Sequence, residues 1–211
     1  MINSFINEYG AELLKAIIIH LKFVVISVSI GFAIAFVVGI ALSRFPKLSK
    51  IVIPILGVFQ TIPGLVFIGV LFLFTGIKDI TIIIALSIYA IFPILKNVYV
   101  GLITVDSALI EAARGCGMSK FQVLRKIELP LASATIVSGI RMSTIYTVSW
   151  AVLAAMIGLG GLGTFIYQGI DTNNTEMIVI GAVPAALMAL FFGFIIDLIQ
   201  KKLTPRGLRR E

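Results

Sequence analysis

The chain has 211 residues, 59% of them hydrophobic and 13% charged, with a mean hydropathy of +1.11 and a formal net charge of +7. Soluble domains average roughly 45–50% apolar and about 25% charged residues, so this composition excludes a compact water-soluble fold and calls for a bilayer as solvent. A single cysteine, Cys116, excludes a disulfide framework, and the lone histidine, His20, offers neither a metal site nor a catalytic constellation.

In chain order, residues 3–20 read as a short amphipathic helix on the outer surface. The apolar run that follows is too long for a signal core and is preceded by Glu8 and Glu12, so no cleavable signal is expected. Five spans then follow at about 23–42, 51–75, 80–97, 131–157 and 177–199, the lengths being judged against the ~20 residues that cross a hydrocarbon core. Together they predict one all-α integral membrane domain over 1–211, without internal repeats.

Prolines interrupt three of these spans: Pro54 and Pro63 in the second, Pro93 in the third and Pro184 in the fifth. Each removes a helix hydrogen bond and frees a carbonyl, which lipid tolerates only where protein or a wet cavity satisfies it. Simple packing kinks and bends lining a path both meet this requirement. After the fourth span the string "GLGGLG" at 158–163 carries four glycines in six residues. It stops the helix near Ile157 and leaves a short re-entrant or interfacial piece before "DTNNTE". The same string matches G-x-G-x-x-G, but a membrane helix precedes it where a dinucleotide fingerprint needs a strand. Close backbone packing near the outer mouth is the expectation.

Charge sets the orientation. Arg44, Lys47 and Lys50 follow the first span, Lys96 ends the third with Arg114, Lys120, Arg125 and Lys126 beyond it, and Lys201, Lys202, Arg206, Arg209 and Arg210 follow the fifth. Alternating spans put all of these on one side, opposite only Lys15, Lys22 and Lys78. The positive-inside rule then places the N-terminus outside and the C-terminus in the cytoplasm. The same asymmetry accounts for the net charge without nucleic acid, and the C-terminal cluster is expected to meet anionic lipid headgroups.

Between spans three and four lies a polar block, 105–130, with two helix signals. Asp106 or Ser107 caps the first helix, and Gly115 and Gly117 supply the freedom that ends it. "SKFQ" is a capping box, Ser119 with Gln122 three residues on. The second helix places Phe121, Leu124 and Ile127 on one stripe among Lys120, Arg125, Lys126 and Glu128, and Pro130 begins the next span. A part-apolar, charged helix-turn-helix held against a membrane suits insertion into a groove on a soluble partner.

Here the chain resembles a known family. Glu111-Ala112-Ala113, three residues, Gly117, nine residues and Ile127-Glu128-Leu129-Pro130 reproduce the EAA-x3-G-x9-I-x-L-P loop of ABC-importer permeases. "QTIPGL" at 60–65, "YAIFPILKNVYVG" at 89–101 and "IGLGGLG" at 157–163 are similar to permeases that import glycine betaine, carnitine and choline. The resemblance covers essentially the whole chain. It implies a type I importer fold of five spans, two permease subunits (identical or paralogous), two cytosolic ATPase subunits and an extracellular substrate-binding protein. It also implies that Glu111, Ala112, Ala113 and Gly117 couple to the ATPase, with Ser119 and Arg125 flanking. No Gly-Lys dipeptide occurs, so no Walker A loop exists in the chain. ATP and magnesium are expected on the partner ATPase, and no cofactor on this chain.

The fourth span is the most polar of the five, with hydroxyls that include Thr147 and Ser149, and polar faces in membrane helices look inward. Tyr146 and Trp150, four apart, share one face, and aromatic faces attract a quaternary ammonium by ~0.5–2 kcal/mol. The pair either lines the substrate path or packs Trp150 at a subunit interface. Arg141 either snorkels to the boundary or forms a gate contact with a cavity or an acid. Asp197 and Lys201 read as an i,i+4 pair. Two other functions remain at this point: import of methionine or another amino acid, and a channel or scaffold that merely docks a cytosolic protein.

Overall fold

A computed structural model describes residues 2–204, with side chains described from residue 9 onward. Every regular element among them is helical: α1 (Ile2–Arg44), α2 (Pro46–Phe59), α3 (Gly64–Thr75), α4 (Asp79–Ile103), α5 (Ser107–Gly115), α6 (Lys120–Val123), a π-helical turn (Leu124–Glu128), α7 (Leu129–Ala151), a 3-10 turn (Val152–Ile157), α8 (Gly163–Asp171) and α9 (Thr175–Leu203). Four stretches are long and apolar enough to cross a bilayer: Tyr9–Arg44, Asp79–Ile103, Lys120–Ile157 and Thr175–Leu203. The α2–α3 pair makes a fifth if counted as one span, bent by 92°.

The start of the chain corrects one expectation. Residues 3–20 are not a separate surface helix but the first turns of α1, which runs unbroken to Arg44. No proline or turn signal divides the stretch, and its inner face has its own packing partners. Ala16 is buried in one cluster with Leu162 and Phe165, and His20 Nε2 donates to the Val148 carbonyl at 3.0 Å.

Helix α4 is the central strut, packed between α1 and α7, with α9 beyond α7 and α8 lying on α9. Small residues let the backbones approach, as expected where lipid removes the hydrophobic drive between helices. A Cβ on Gly31 of α1 would stand 2.8 Å from Ala90 Cβ of α4, and one on Gly101 of α4 would stand 3.2 Å from Ala132 Cβ of α7. The core divides into a cluster around Phe23, Leu86, Val148 and Leu162 and another around Ile94, Leu95, Val98 and Ile136. Leu73, Phe74, Leu190 and Phe194 face outward, the surface a hydrocarbon solvent favours.

The second expected span is really two helices. Pro63 stands at the N-cap of α3 with φ −58 and ψ 128, and it cannot continue the α2 ladder. Proline also steers the residue before it away from helical backbone, so the chain turns at 60–63.

The fourth span differs in the opposite sense. The second helix of the polar block does not end before Pro130; α6, the π-helical turn, α7 and the 3-10 turn form one stretch, Lys120–Ile157. In the π-helical turn the Leu129 N–H reaches back to the Leu124 carbonyl, one residue further than in an α-helix. That widened turn carries the helix past Pro130, which has no N–H to offer.

Ion pairs and hydrogen bonds gather the ends. Arg44, closing α1, forms a bidentate pair with Glu128, its Nη1 donating to Oε1 at 2.9 Å. Ser133 Oγ donates to Leu203 O at 3.4 Å, bringing the end of α9 to the same face. At the far end Lys22 pairs with Asp79 at 2.6 Å. Asp197 pairs with Arg141 at 2.8 Å, not with Lys201 as the i,i+4 spacing predicts. The α7–α9 packing brings a guanidinium within reach. Arg206, Arg209 and Arg210 lie outside the described residues.

Candidate functional site

Two places concentrate the polar chemistry: a cavity at the α2–α3 break and the elbow at α5–α6.

The cavity begins with Pro93 in α4. Lacking an N–H, Pro93 leaves the Tyr89 carbonyl without its helical donor. The Gln60 side chain takes that role, its Nε2 donating to Tyr89 O at 2.8 Å. Tyr89 returns the tie, its hydroxyl donating to Ile62 O at 2.8 Å. The break in one span is thus clamped to the proline bend in another. Asn97 Nδ2 donates to Pro93 O, and Ser143 Oγ to Ala90 O, fastening α4 to itself and to α7.

Around this clamp lies a cavity of about 250 Å³ lined by Gln60, Leu86, Tyr89, Tyr146, Thr147 and Trp150. Tyr89 and Trp150 stand with ring centroids 4.2 Å apart, and Phe67 meets Tyr89 edge-on at 5.5 Å. Tyr146 is 51% exposed, so its ring is available to a ligand. Gly64 is obligatory here for packing: a Cβ at that position would overlap the Trp150 ring. A neighbouring cavity of about 360 Å³ shares Gln60 and Tyr146 and continues along α4 past Phe92 and Lys96. Of the path residues read from the sequence, Tyr146, Thr147 and Trp150 come together. Ser149 does not; it is exposed, outside the cavity, with its hydroxyl donating to Ile145 O. Arg141 also lies away from both cavities, paired with Asp197 across α7 and α9 with both side chains nearly half exposed.

At the elbow, Asp106 rather than Ser107 caps α5, accepting from the Ala108 N–H at 2.9 Å. The helix closes as a Schellman turn: Met118 N–H bonds Ala113 O, Gly117 N–H bonds Arg114 O, and Gly117 takes φ +78. Gly115 stays within the helix, so one glycine does the work predicted for two. The capping box forms, with Ser119 N–H to Gln122 Oε1 at 2.7 Å and Gln122 N–H to Ser119 Oγ at 3.3 Å. Glu111, Ala112, Ser119 and Arg125 are exposed, and Ala113 is buried beneath them. Of the stripe, Phe121 faces out at 67% exposure, while the neighbouring Val123 is buried. An open, mainly apolar groove of about 580 Å³ separates α5 from the start of α7, with Ala112, Ala113, Ile127 and Pro130 in its walls.

Sequence reasoning missed four residues that organise these sites. Gln60 and Tyr89 stood only inside quoted motifs. Their signal is Pro93: a buried proline demands a donor for the carbonyl four residues back. Glu128 and Arg44 were counted as charges. The signal there is a carboxylate beneath an apolar surface, which needs a cation. No group of three or more potential metal ligands occurs among the described residues.

The family model for the inner membrane component of binding-protein-dependent transport systems matches residues 16–208. The chain belongs to this family. The permease is 39% identical to the carnitine transport permease protein OpuCB of Listeria monocytogenes, over 98% of this chain and 94% of that protein. It is 37% identical to the glycine betaine/carnitine/choline transport system permease protein OpuCB of Bacillus subtilis, over 98% of this chain and 95% of that protein. Its fold matches a chain of the MetNI methionine ABC transporter in an inward-facing conformation, with a TM-score of 0.84 and 25% identity over 94% of this chain and 99% of that chain. The permease is therefore a transport subunit of an ABC importer, not an enzyme, and a multi-pass protein of the bacterial cell membrane. The family works with a binding protein.

Proposed function

We propose that this permease carries quaternary-amine osmoprotectants such as glycine betaine, carnitine or choline from an extracellular binding protein to the cytoplasm. One observation supports the substrate class most directly. The cavity at the broken span is lined by Tyr89, Tyr146 and Trp150 and contains no carboxylate, and the exposed Tyr146 ring beside the stacked Tyr89–Trp150 pair offers an aromatic face to a trimethylammonium group. The relatives named for these solutes point the same way. Tyr146, Trp150 and Thr147 line the path, and the Arg141–Asp197 pair, away from both cavities, is the gate candidate.

Two permease subunits, identical or paralogous, pair in the membrane with the N-terminus outside and the C-terminus inside. The gathering of Arg44, the polar block and the end of α9 at one face agrees with this orientation. The elbow docks on one of two cytosolic ATPases through Glu111, Ala112, Ala113 and Gly117, with Ser119 and Arg125 flanking. ATP and magnesium are bound by those ATPases, and this chain holds no cofactor. Nucleic acid is not a partner, and membrane lipid surrounds the bundle. ATP binding draws the ATPases together, the elbow moves with them, and the spans rock between inward-open and outward-open states. The binding protein and ATP must each bind one state more tightly than the other, because equal affinity shifts no population.

The experiment is uptake of labelled glycine betaine, carnitine and choline into proteoliposomes holding the complete importer, with methionine as control. Uptake of at least one quaternary amine that requires ATP supports the reading. Methionine uptake alone, or flux without the ATPase, overturns it.

A further inference from the structure

A cation lies where a quaternary-amine path would be expected to exclude one. Lys96 is the sole charge in α4 beyond Asp79, and it is part of the wall of the 360 Å³ cavity that shares Gln60 and Tyr146 with the aromatic cavity. The other cations that the spanning helices set against a partner meet a carboxylate: Lys22 faces Asp79, Arg44 faces Glu128 and Arg141 faces Asp197. Lys96 has none among the described residues. Its Nζ stands instead 5.9 Å from the centroid of the Phe92 ring, one turn back on the same helix. No acidic side chain lines either cavity.

We propose that Lys96 is a specificity-determining residue that receives the carboxylate of zwitterionic substrates while the aromatic cavity holds their ammonium head. The inference rests on the substrate class proposed above and divides it. Glycine betaine and carnitine carry a carboxylate; choline carries a hydroxyl. A carboxylate beside an ammonium in a wall of low polarity gains a charge-assisted hydrogen bond, whereas a solute with cationic charge alone meets repulsion from the same group. The two cavities share Gln60 and Tyr146 in their walls, so an ammonium head at the Tyr146 ring lies in the same cavity as Lys96.

The test is uptake of glycine betaine, carnitine and choline by the complete importer carrying Lys96→Met or Lys96→Arg, each compared with wild type using the same binding protein. The expected result is an about tenfold fall in zwitterion uptake in K96M with choline uptake unchanged or raised, and retention of zwitterion uptake in K96R. ATP turnover stimulated by the loaded binding protein reports assembly and should stay within about twofold. An equal fall for all three solutes makes Lys96 a structural or lipid-anchoring residue and overturns the proposal, as does no change for any of them. A wild-type importer that carries choline but neither zwitterion overturns it too, while leaving the substrate class standing. A wild-type importer that carries none of the three overturns both.

Discussion

Two prolines in this chain meet opposite fates, and the contrast separates the elbow from the cavity. At Pro130 the backbone absorbs the missing donor within itself: the π-helical turn widens and the helix continues from Lys120 to Ile157. At Pro63 the helix is abandoned, the chain bends by 92°, and side chains of two helices clamp the break. A continuous rod is suited to carry displacement from the elbow into the bundle. A break held by two hydrogen bonds is suited to change shape, since each tie contributes only about 1 kcal/mol net.

Four changes would break or sharpen that contrast. The largest effect is expected at Gly117, whose φ of +78 is strained for a β-branched residue. Gly117→Val should leave membrane insertion intact and abolish ATP turnover linked to transport, measured in proteoliposomes; unchanged turnover would show that the elbow transmits nothing.

Next comes the tie between the rod and the first span. Glu128→Ala leaves Arg44 without its acid, and Glu128 itself is almost fully buried. The loss is expected near 2 kcal/mol, below the ~3–5 kcal/mol of a fully buried pair because Arg44 is partly exposed. Thermal unfolding in detergent reads it, and Arg44→Met in the same chain should recover part of the loss. No shift in either variant would mean that the rod stands without the first span.

At the cavity, Trp150→Ala removes one aromatic wall and should lower uptake about tenfold, a size set by the ~0.5–2 kcal/mol of a ring–ammonium contact, while Trp150→Phe keeps most of it. Wild-type rate and affinity in the alanine variant would assign Trp150 to packing alone. The smallest effect is expected at Arg141. Its pair with Asp197 is nearly half exposed at both ends, so Arg141→Met should cost less than about 1 kcal/mol of stability. Any larger change in uptake without a change in stability would mark the pair as a gate.

Much of the helical bundle was legible because lipid imposes a simple rule: an uncharged run of about twenty residues has to cross as a helix. The elbow's caps were legible too, since Asp106, Gly117 and the Ser119–Gln122 box act through bonds reaching only a few residues. The cavity was half legible. Tyr146 and Trp150 share a face by helical spacing, and Thr147 joined them by position on a polar helix. Ser149 sat on that helix too and turned out to face elsewhere, because hydroxyl content does not say which neighbour a face meets.

Local chemistry and hydrophobic run length therefore determined the class of fold, the helix count to within the broken pair, and the elbow. Only the tertiary structure decided that residues 3–20 belong to α1, that Pro63 breaks a span while Pro130 does not, and that Asp197 chooses Arg141 over Lys201. The reason is physical. A proline's freed carbonyl or a carboxylate's charge fixes what partner is needed, but not where along the chain that partner will be found; Gln60 and Tyr89, or Arg44 and Glu128, meet only once the helices have packed.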